Sequence, residues 1–135
     1  MTKNEVKKIV EYWQKTAEHD YETMLGLFKI KRYPDSLFFA HIVLEKILKG
    51  HVVSQTKREA PKIHDLVRLY EISAIELSEK DIFLLKDVNH FNISCRYPDY
   101  KLKFHKLCTK NFTESYLKKI IKLYEKLCQK LEKTK

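Results

Sequence analysis

Three polar side chains interrupt Leu37–Gly50, the most apolar stretch of the chain. His41, Glu45 and Lys49 recur at every fourth position, and Lys46 lies beside them. On an α-helix this spacing forms a single stripe. Polar groups are costly to bury unless they are paired. The stripe therefore indicates either a ligand site or internal pairing, through a Glu45–Lys49 ion pair and a hydrogen-bonded His41.

A second cluster of polar side chains begins at Asn92. If a helix reaches Arg96, then Asn92 and Arg96 share one face, and the arginine offers a planar fork of donors suited to phosphate. Tyr97 and Asp99 follow the predicted helix end, because Pro98 disfavours continuation. The alternative is an Arg96–Asp99 ion pair that only fastens this turn.

The formal charge of +9 and the pI near 9.4 favour an anionic partner such as RNA or a nucleotide. The alternative is a lysine-rich surface with no dedicated partner. The chain has no glycine-rich phosphate loop and no GxSxG or HExxH sequence. We therefore expect no cofactor.

Cysteine and histidine usage indicates a reduced, cytoplasmic protein without a metal site. There are three cysteines, no CxxC pair, and six histidines without metal-ligand spacing. The chain shows no signal peptide and no apolar run of about eighteen residues, so we expect no membrane segment. Cys95 precedes Arg96, whose charge could lower the pKa of the thiol, but we expect Cys95 to have a packing role.

Leucine, isoleucine, lysine and glutamate dominate, and only two glycines occur, which favours an all-α fold. The Thr2–Glu5 segment has the pattern of a capping box before the first helix. Asp20 lies on the border of that helix's apolar stripe, where a solvated or paired carboxylate is expected. For the segment Tyr100–Phe112 we predict either a short helix or a surface loop. Apolar spacing predicts helices over about Asn4–Lys31, Ser36–Val53, Ile63–Ile75 and Ser78–Ser94, with a last helix from Thr113.

Taken in order, these segments resemble the HEPN domain, named for nucleotide binding in higher eukaryotes and prokaryotes. The matching stretches are Trp13…Ala17…Asp20-Tyr21, Leu37–Lys49, Pro61…His64-Asp65-Leu66…Leu69, and Asn92…Arg96-Tyr-Pro-Asp99, followed by a closing amphipathic helix.

The resemblance implies a single domain over residues 1–135, built as an up-and-down bundle of four to five helices and usually dimeric. Such domains often accompany a minimal nucleotidyltransferase, and some members are metal-independent ribonucleases that act as toxins. The ribonuclease branch has an arginine followed by a histidine after four to six residues. Here His105 follows Arg96 after eight residues, and His90 precedes it. The Arg-Tyr-Pro-Asp sequence at residues 96–99 is closer to the branch that does not cleave RNA.

Our leading hypothesis is a non-catalytic HEPN module that binds a nucleotide or RNA phosphate and pairs with a nucleotidyltransferase, as in toxin–antitoxin systems. Arg96 and Lys49 would donate to phosphate. The other residues of this candidate site are Asp20, His41, Glu45, Lys46, His64, Tyr97 and Asp99. One alternative is a ribonuclease using Arg96 with His105 or His90. The other is a helical dimerisation module without a small ligand.

Overall fold

The computed structural model describes residues 1–134, with Pro98 described through its backbone alone, and every regular element in this part of the chain is helical. The six helices are α1 (Lys3–Lys29), α2 (Tyr33–Thr56), α3 (Leu66–Ser73), α4 (Glu79–Arg96), α5 (Pro98–Leu107) and α6 (Lys110–Lys133). The all-α prediction is therefore confirmed. None of these helices is long and apolar enough to cross a membrane.

Helix α2 is the centre of the bundle, because α1, α3, α4, α5 and α6 all pack against it. Most of its residues from Ala40 to Val53 are buried, as its apolar sequence predicts. The core side chains that α2 contributes are Leu37, Ala40, Val43, Leu44, Ile47, Leu48, Val52 and Val53. A polar side chain that is buried on this part of α2 must therefore be paired.

The start of α2 differs from the prediction. Tyr33 is the first helical residue, three residues before the predicted start at Ser36. Pro34 is tolerated because it lies in the first turn, where the backbone N–H has no partner within the helix. Ser36, the first residue of the predicted helix, is buried, and its hydroxyl donates to the Met24 carbonyl at 2.8 Å. This hydrogen bond joins α2 to α1.

Helix α3 is shorter than predicted and is held at its start by α4. Asp65 is the cap, and its carboxylate accepts from the Val67 N–H at 3.0 Å. The Leu66 N–H donates to the Asn89 amide oxygen at 3.0 Å, and the Asn89 amide nitrogen donates to Asp65 at 2.9 Å. This arrangement places the α2–α3 connection, which includes His64, directly beside α4.

The segment for which we predicted either a short helix or a loop contains α5 and the first turn of α6. Helix α4 ends at Arg96, as Pro98 predicted, and α5 begins at once. Thr109 caps α6 by accepting from the Phe112 N–H at 3.2 Å. The predicted start at Thr113 was therefore wrong, and six helices form where four to five were expected.

Candidate functional site

The carboxylate of Glu45 joins α2 to the α2–α3 connection. Its Oε1 accepts from Nδ1 of His64 at 2.8 Å, and its Oε2 accepts from the Lys49 ammonium at 3.0 Å. Nδ1 of His41 lies 3.8 Å from the same Oε1. We call these four residues the Glu45 network. The intrahelical Glu45–Lys49 pair expected from the sequence is present, and the structure adds His64 to it.

His41 fixes the backbone beneath His64. Its Nε2 lies 2.9 Å from the His64 carbonyl oxygen, which can only accept, so Nε2 carries the proton. Burial lowers the pKa of His41, against the opposing effect of Glu45. The imidazole therefore stays neutral at physiological pH and acts as a hydrogen-bond donor that positions the connection.

The ammonium of Lys49 is enclosed within the bundle. The Lys49 side chain is 9% exposed, and its Nζ lies 5.5 Å from the ring centroid of Trp13, within cation–π range. A group that already contacts a carboxylate and an aromatic face has little surface left for a ligand. Its main physical effect is to neutralise Glu45.

Asp20 and Lys46 form a separate pair between α1 and α2. The Lys46 ammonium donates to the Asp20 carboxylate in a short hydrogen bond, and His19 Nδ1 lies 3.3 Å from the other carboxylate oxygen. Asp20 is buried and Lys46 is partly exposed. Of the two interpretations open for Asp20, the structure shows the paired carboxylate.

Arg96 is exposed at the end of α4, and its guanidinium is held in place. Its Nε donates to the Asn92 amide oxygen at 2.7 Å, and its guanidinium carbon lies 5.8 Å from the ring centroid of Phe38 on α2. The ion pair considered between Arg96 and Asp99 is absent from the described residues. The same part of the chain supplies no protein partner for the two terminal amino groups of Arg96, so both can donate to a ligand.

His64 and Arg96 both lie near His41. Burial is the largest cause of the lowered pKa of His41, and the electrostatic effects of His64 and Arg96 lower it further, whereas Glu45 raises it. Asn89 contacts the residue after His64, and Arg96 lies two turns further along α4, about 10 Å away. The His64 side chain is 57% exposed, and Glu45 holds its Nδ1. We call this region the His64–Arg96 surface.

The remaining predicted site residues lie outside this network. His90 and His105 are exposed, and neither makes a polar contact with Arg96 in the part of the chain that is described. Tyr97 and Asp99 are exposed at the junction of α4 and α5. Sequence reasoning missed Asn89 as a contact of the α2–α3 connection, although its spacing of seven from Arg96 places both on one helical face.

Of the two interpretations of Cys95, the packing role agrees with the structure. Burial raises the pKa of its thiol to about 11, and the nearby Asp35 carboxylate acts in the same direction. The Cys95 sulfur lies 3.7 Å from the Pro34 carbonyl oxygen. Cys95 is therefore a packing residue between α4 and the start of α2.

A cleft of about 790 Å³ lies away from the His64–Arg96 surface, where the first turns of α1 meet the last turns of α2 and α6. It is lined by Met1, Lys3, Asn4, Val6, Lys7, Val10, Ser54, Lys57 and Thr134. It includes no residue of the Glu45 network. Within residues 1–134, no group of three or more His, Cys, Asp or Glu side chains is placed to hold a metal ion.

Comparison with known proteins assigns the family. Searches among curated proteins and among solved structures each found no match. A family model for the HEPN domain matches residues 10–134, which includes all six helices except the first turns of α1. The chain therefore belongs to the HEPN domain family.

Proposed function

We propose that this HEPN domain binds the phosphate group of a nucleotide or of RNA at the His64–Arg96 surface. The observation that carries the proposal is the guanidinium of Arg96, which Asn92 and Phe38 hold while its terminal amino groups stay free of protein partners. Two parallel N–H donors suit two phosphate oxygens. The net charge of +9 attracts such an anion over longer range.

The contacts divide the sequence-predicted residues into two groups. Arg96 and the exposed imidazole of His64 contact the ligand. Glu45, Lys49 and His41 position His64, because each is buried or nearly so and already has a protein partner. We assign the same structural role to the Asp20–Lys46 pair. Tyr97 and Asp99 border the surface on its α5 side.

The direct test is thermal unfolding with ATP, GTP, other nucleotides and short RNA, with sulfate as an ionic control. A ligand at about one hundred times its Kd stabilises by about 2.7 kcal/mol, which is roughly 10 °C for a domain of this size. The shift should disappear in Arg96→Ala. Arg58→Ala is the matched control, because Arg58 is an exposed arginine at the opposite end of the bundle. Equal shifts with sulfate, or an unchanged shift in Arg96→Ala, would contradict the proposal.

We also propose that residues 1–135 act as one domain and form a homodimer that pairs with a minimal nucleotidyltransferase in the cytoplasm. The support is membership of the HEPN family together with the basic surface. Sedimentation equilibrium of the purified chain tests the dimer. Titration with a minimal nucleotidyltransferase tests the pairing, and a monomer that binds no such enzyme at micromolar concentration would contradict both.

A specific observation supports metal-independent RNA cleavage as a second function, with His64 in place of His90 or His105. Glu45 accepts the Nδ1 proton of His64, which leaves Nε2 able to accept another. In this reaction Nε2 takes the proton of a ribose 2′-hydroxyl, the 2′-oxygen attacks phosphorus, and the 5′-oxygen leaves with a proton from the imidazolium. The products are a 2′,3′-cyclic phosphate and a 5′-hydroxyl, and Arg96 stabilises the negative charge that develops on the non-bridging phosphate oxygens.

The cleavage test uses labelled RNA and excess EDTA. We expect His64→Gln to lose cleavage activity. We expect His90→Ala and His105→Ala to cleave RNA as well as the wild type does. Absence of cleavage at any protein concentration, or loss in His105→Ala alone, would overturn the assignment of His64.

A further inference from the structure

Helix α5 presents nearly all of its side chains to solvent. Of its described side chains, only Phe104 is buried, and its ring packs 5.5 Å from that of Phe91 on α4. Tyr97, the cap of α5, is 56% exposed and Tyr100 is 54% exposed. Neither tyrosine ring contacts another aromatic ring among the described residues. Helix α5 therefore packs against α4 on one side and is exposed to solvent on the other side, where a ligand can reach it.

The charge of this segment is strongly positive. Residues 96–110 contain five basic side chains and one carboxylate, a net charge of +4. The basic residues are Arg96, Lys101, Lys103, Lys106 and Lys110, all exposed. Two copies of this face would repel one another on contact, so the charge favours an anionic occupant over a second copy of the chain.

The tyrosines and lysines are interleaved along the backbone that leaves Arg96. The N–H groups of Tyr100 and Lys101 both donate to the Tyr97 carbonyl at 3.1 Å, so these three residues share the first turn of α5. Exposed aromatic faces that alternate with basic side chains are the features that hold single-stranded nucleic acids, because bases stack on the rings while phosphates meet the cations. A mononucleotide could engage only one ring.

We infer that Tyr97 and Tyr100, with Lys101 and Lys103, form a base-stacking subsite for single-stranded RNA next to Arg96. This inference rests on the proposed phosphate-binding role of Arg96 and extends it from a nucleotide to a strand. The strand runs from the His64–Arg96 surface along α5. Two successive bases stack on the two tyrosines, and the lysines contact the phosphates that follow.

The test measures fluorescence anisotropy of a labelled single-stranded oligouridylate of about twelve nucleotides, a length within the range of single-strand sites. The variants are Tyr97→Ala/Tyr100→Ala and Tyr97→Phe/Tyr100→Phe. Tyr12→Ala is the matched control, because Tyr12 is 57% exposed on α1. We expect the alanine pair to weaken RNA binding about thirtyfold or more. The phenylalanine pair should bind as wild type, because stacking needs the ring and not the hydroxyl.

Salt dependence provides a second readout. Lys101→Gln and Lys103→Gln should each reduce the slope of log affinity against log salt concentration by about 0.7, the value for one phosphate contact on a single strand. Stabilisation by a mononucleotide should be lost in Arg96→Ala and retained in Tyr100→Ala, because Tyr100 is not part of the proposed phosphate site. The two proposals can therefore fail separately.

Four outcomes would overturn the inference. The first is that Tyr12→Ala weakens RNA binding as much as the alanine pair does, and the second is that duplex RNA of the same length binds with equal affinity. The third is that the protein binds anionic lipid vesicles but not RNA. The fourth is that the alanine pair dissociates a dimer and leaves the RNA affinity unchanged. The last of these would assign the exposed face of α5 to contact between two copies of the chain.

Discussion

Glu45→Gln removes the negative charge from the centre of the Glu45 network and leaves the Lys49 ammonium without its partner. The two side chains are 13% and 9% exposed, so water replaces the lost interaction poorly. Loss of one partner from a buried pair costs about 3–5 kcal/mol. The glutamine can still accept one hydrogen bond and the site keeps some solvent contact, so we expect about 3 kcal/mol, or roughly 10 °C in Tm.

A double-mutant cycle separates the pair from its surroundings. Lys49→Met should cost about 2 kcal/mol, because His64 still donates to Glu45. The double variant removes both charges and should cost less than the sum, with a coupling of about 2 kcal/mol. The assay is urea unfolding followed by far-UV circular dichroism, because the Trp13 ring lies against Lys49 and its fluorescence would report the substitution itself.

Lys126→Met is the matched control, because the Lys126–Asp81 pair has the same chemistry while Lys126 is 46% exposed. An exposed pair of this kind contributes about 1 kcal/mol or less. If Glu45→Gln costs no more than Lys126→Met, or if the Glu45–Lys49 cycle is additive, the network does not hold His64 in the way described. Our assignment of Glu45 and Lys49 as positioning residues would then be wrong.

Three further predictions concern stability and reactivity. Burial lowers the pKa of His41 and His51 below the ordinary histidine value of about 6.5. The stabilisation present above pH 6.5 should therefore be lost as the pH falls below it, by up to about 1.4 kcal/mol per pH unit per histidine. Urea titrations from pH 8 to pH 5 test this slope, which His51→Gln should roughly halve. Gly26→Ala should raise the unfolding free energy by about 0.5–1 kcal/mol, because Gly26 lies inside α1 and a Cβ would meet nothing within 4 Å. Ala74→Gly should be neutral or stabilising in the same assay, because Ala74 has a φ of 56°. A loss of stability in either variant would contradict these backbone assignments. Burial raises the pKa of the Cys95 thiol to about 11. We therefore expect the thiol to react with iodoacetamide at pH 8 far more slowly than free cysteine. A rate equal to that of free cysteine would show instead that the thiol is accessible.

The sequence by itself determined the helical class and the central position of α2. The apolar side chains from Leu37 to Val53 lie on all sides of that helix, and such a helix is stable only when other helices cover it. The Glu45–Lys49 pair followed from spacing as well, because residues four apart on a helix are neighbours wherever the helix lies. The end of α4 before Pro98 has an equally local cause, since proline disfavours continuation of a helix.

Local patterns were less informative where tertiary contacts compete with them. Ser36 was the predicted start of α2, yet it lies inside the helix and its hydroxyl donates to the Met24 carbonyl on α1. Thr113 matched a helix start, whereas Thr109 caps α6 and Thr113 is buried within it. The short helix α5 was one of two possibilities in the sequence, because most of its apolar residues are exposed and give no clear stripe.

The candidate site was decided by the tertiary structure. The sequence identified His41, Glu45, His64 and Arg96 as isolated polar residues, but no periodicity relates a loop histidine to a carboxylate nineteen positions earlier. Whether a lysine is a ligand donor or a buried countercharge depends on its surroundings, and the enclosure of Lys49 by Glu45 and Trp13 exists only in the folded bundle. Spacing along one helix fixes which side chains share a face, whereas contacts between helices fix which of them remain free to bind.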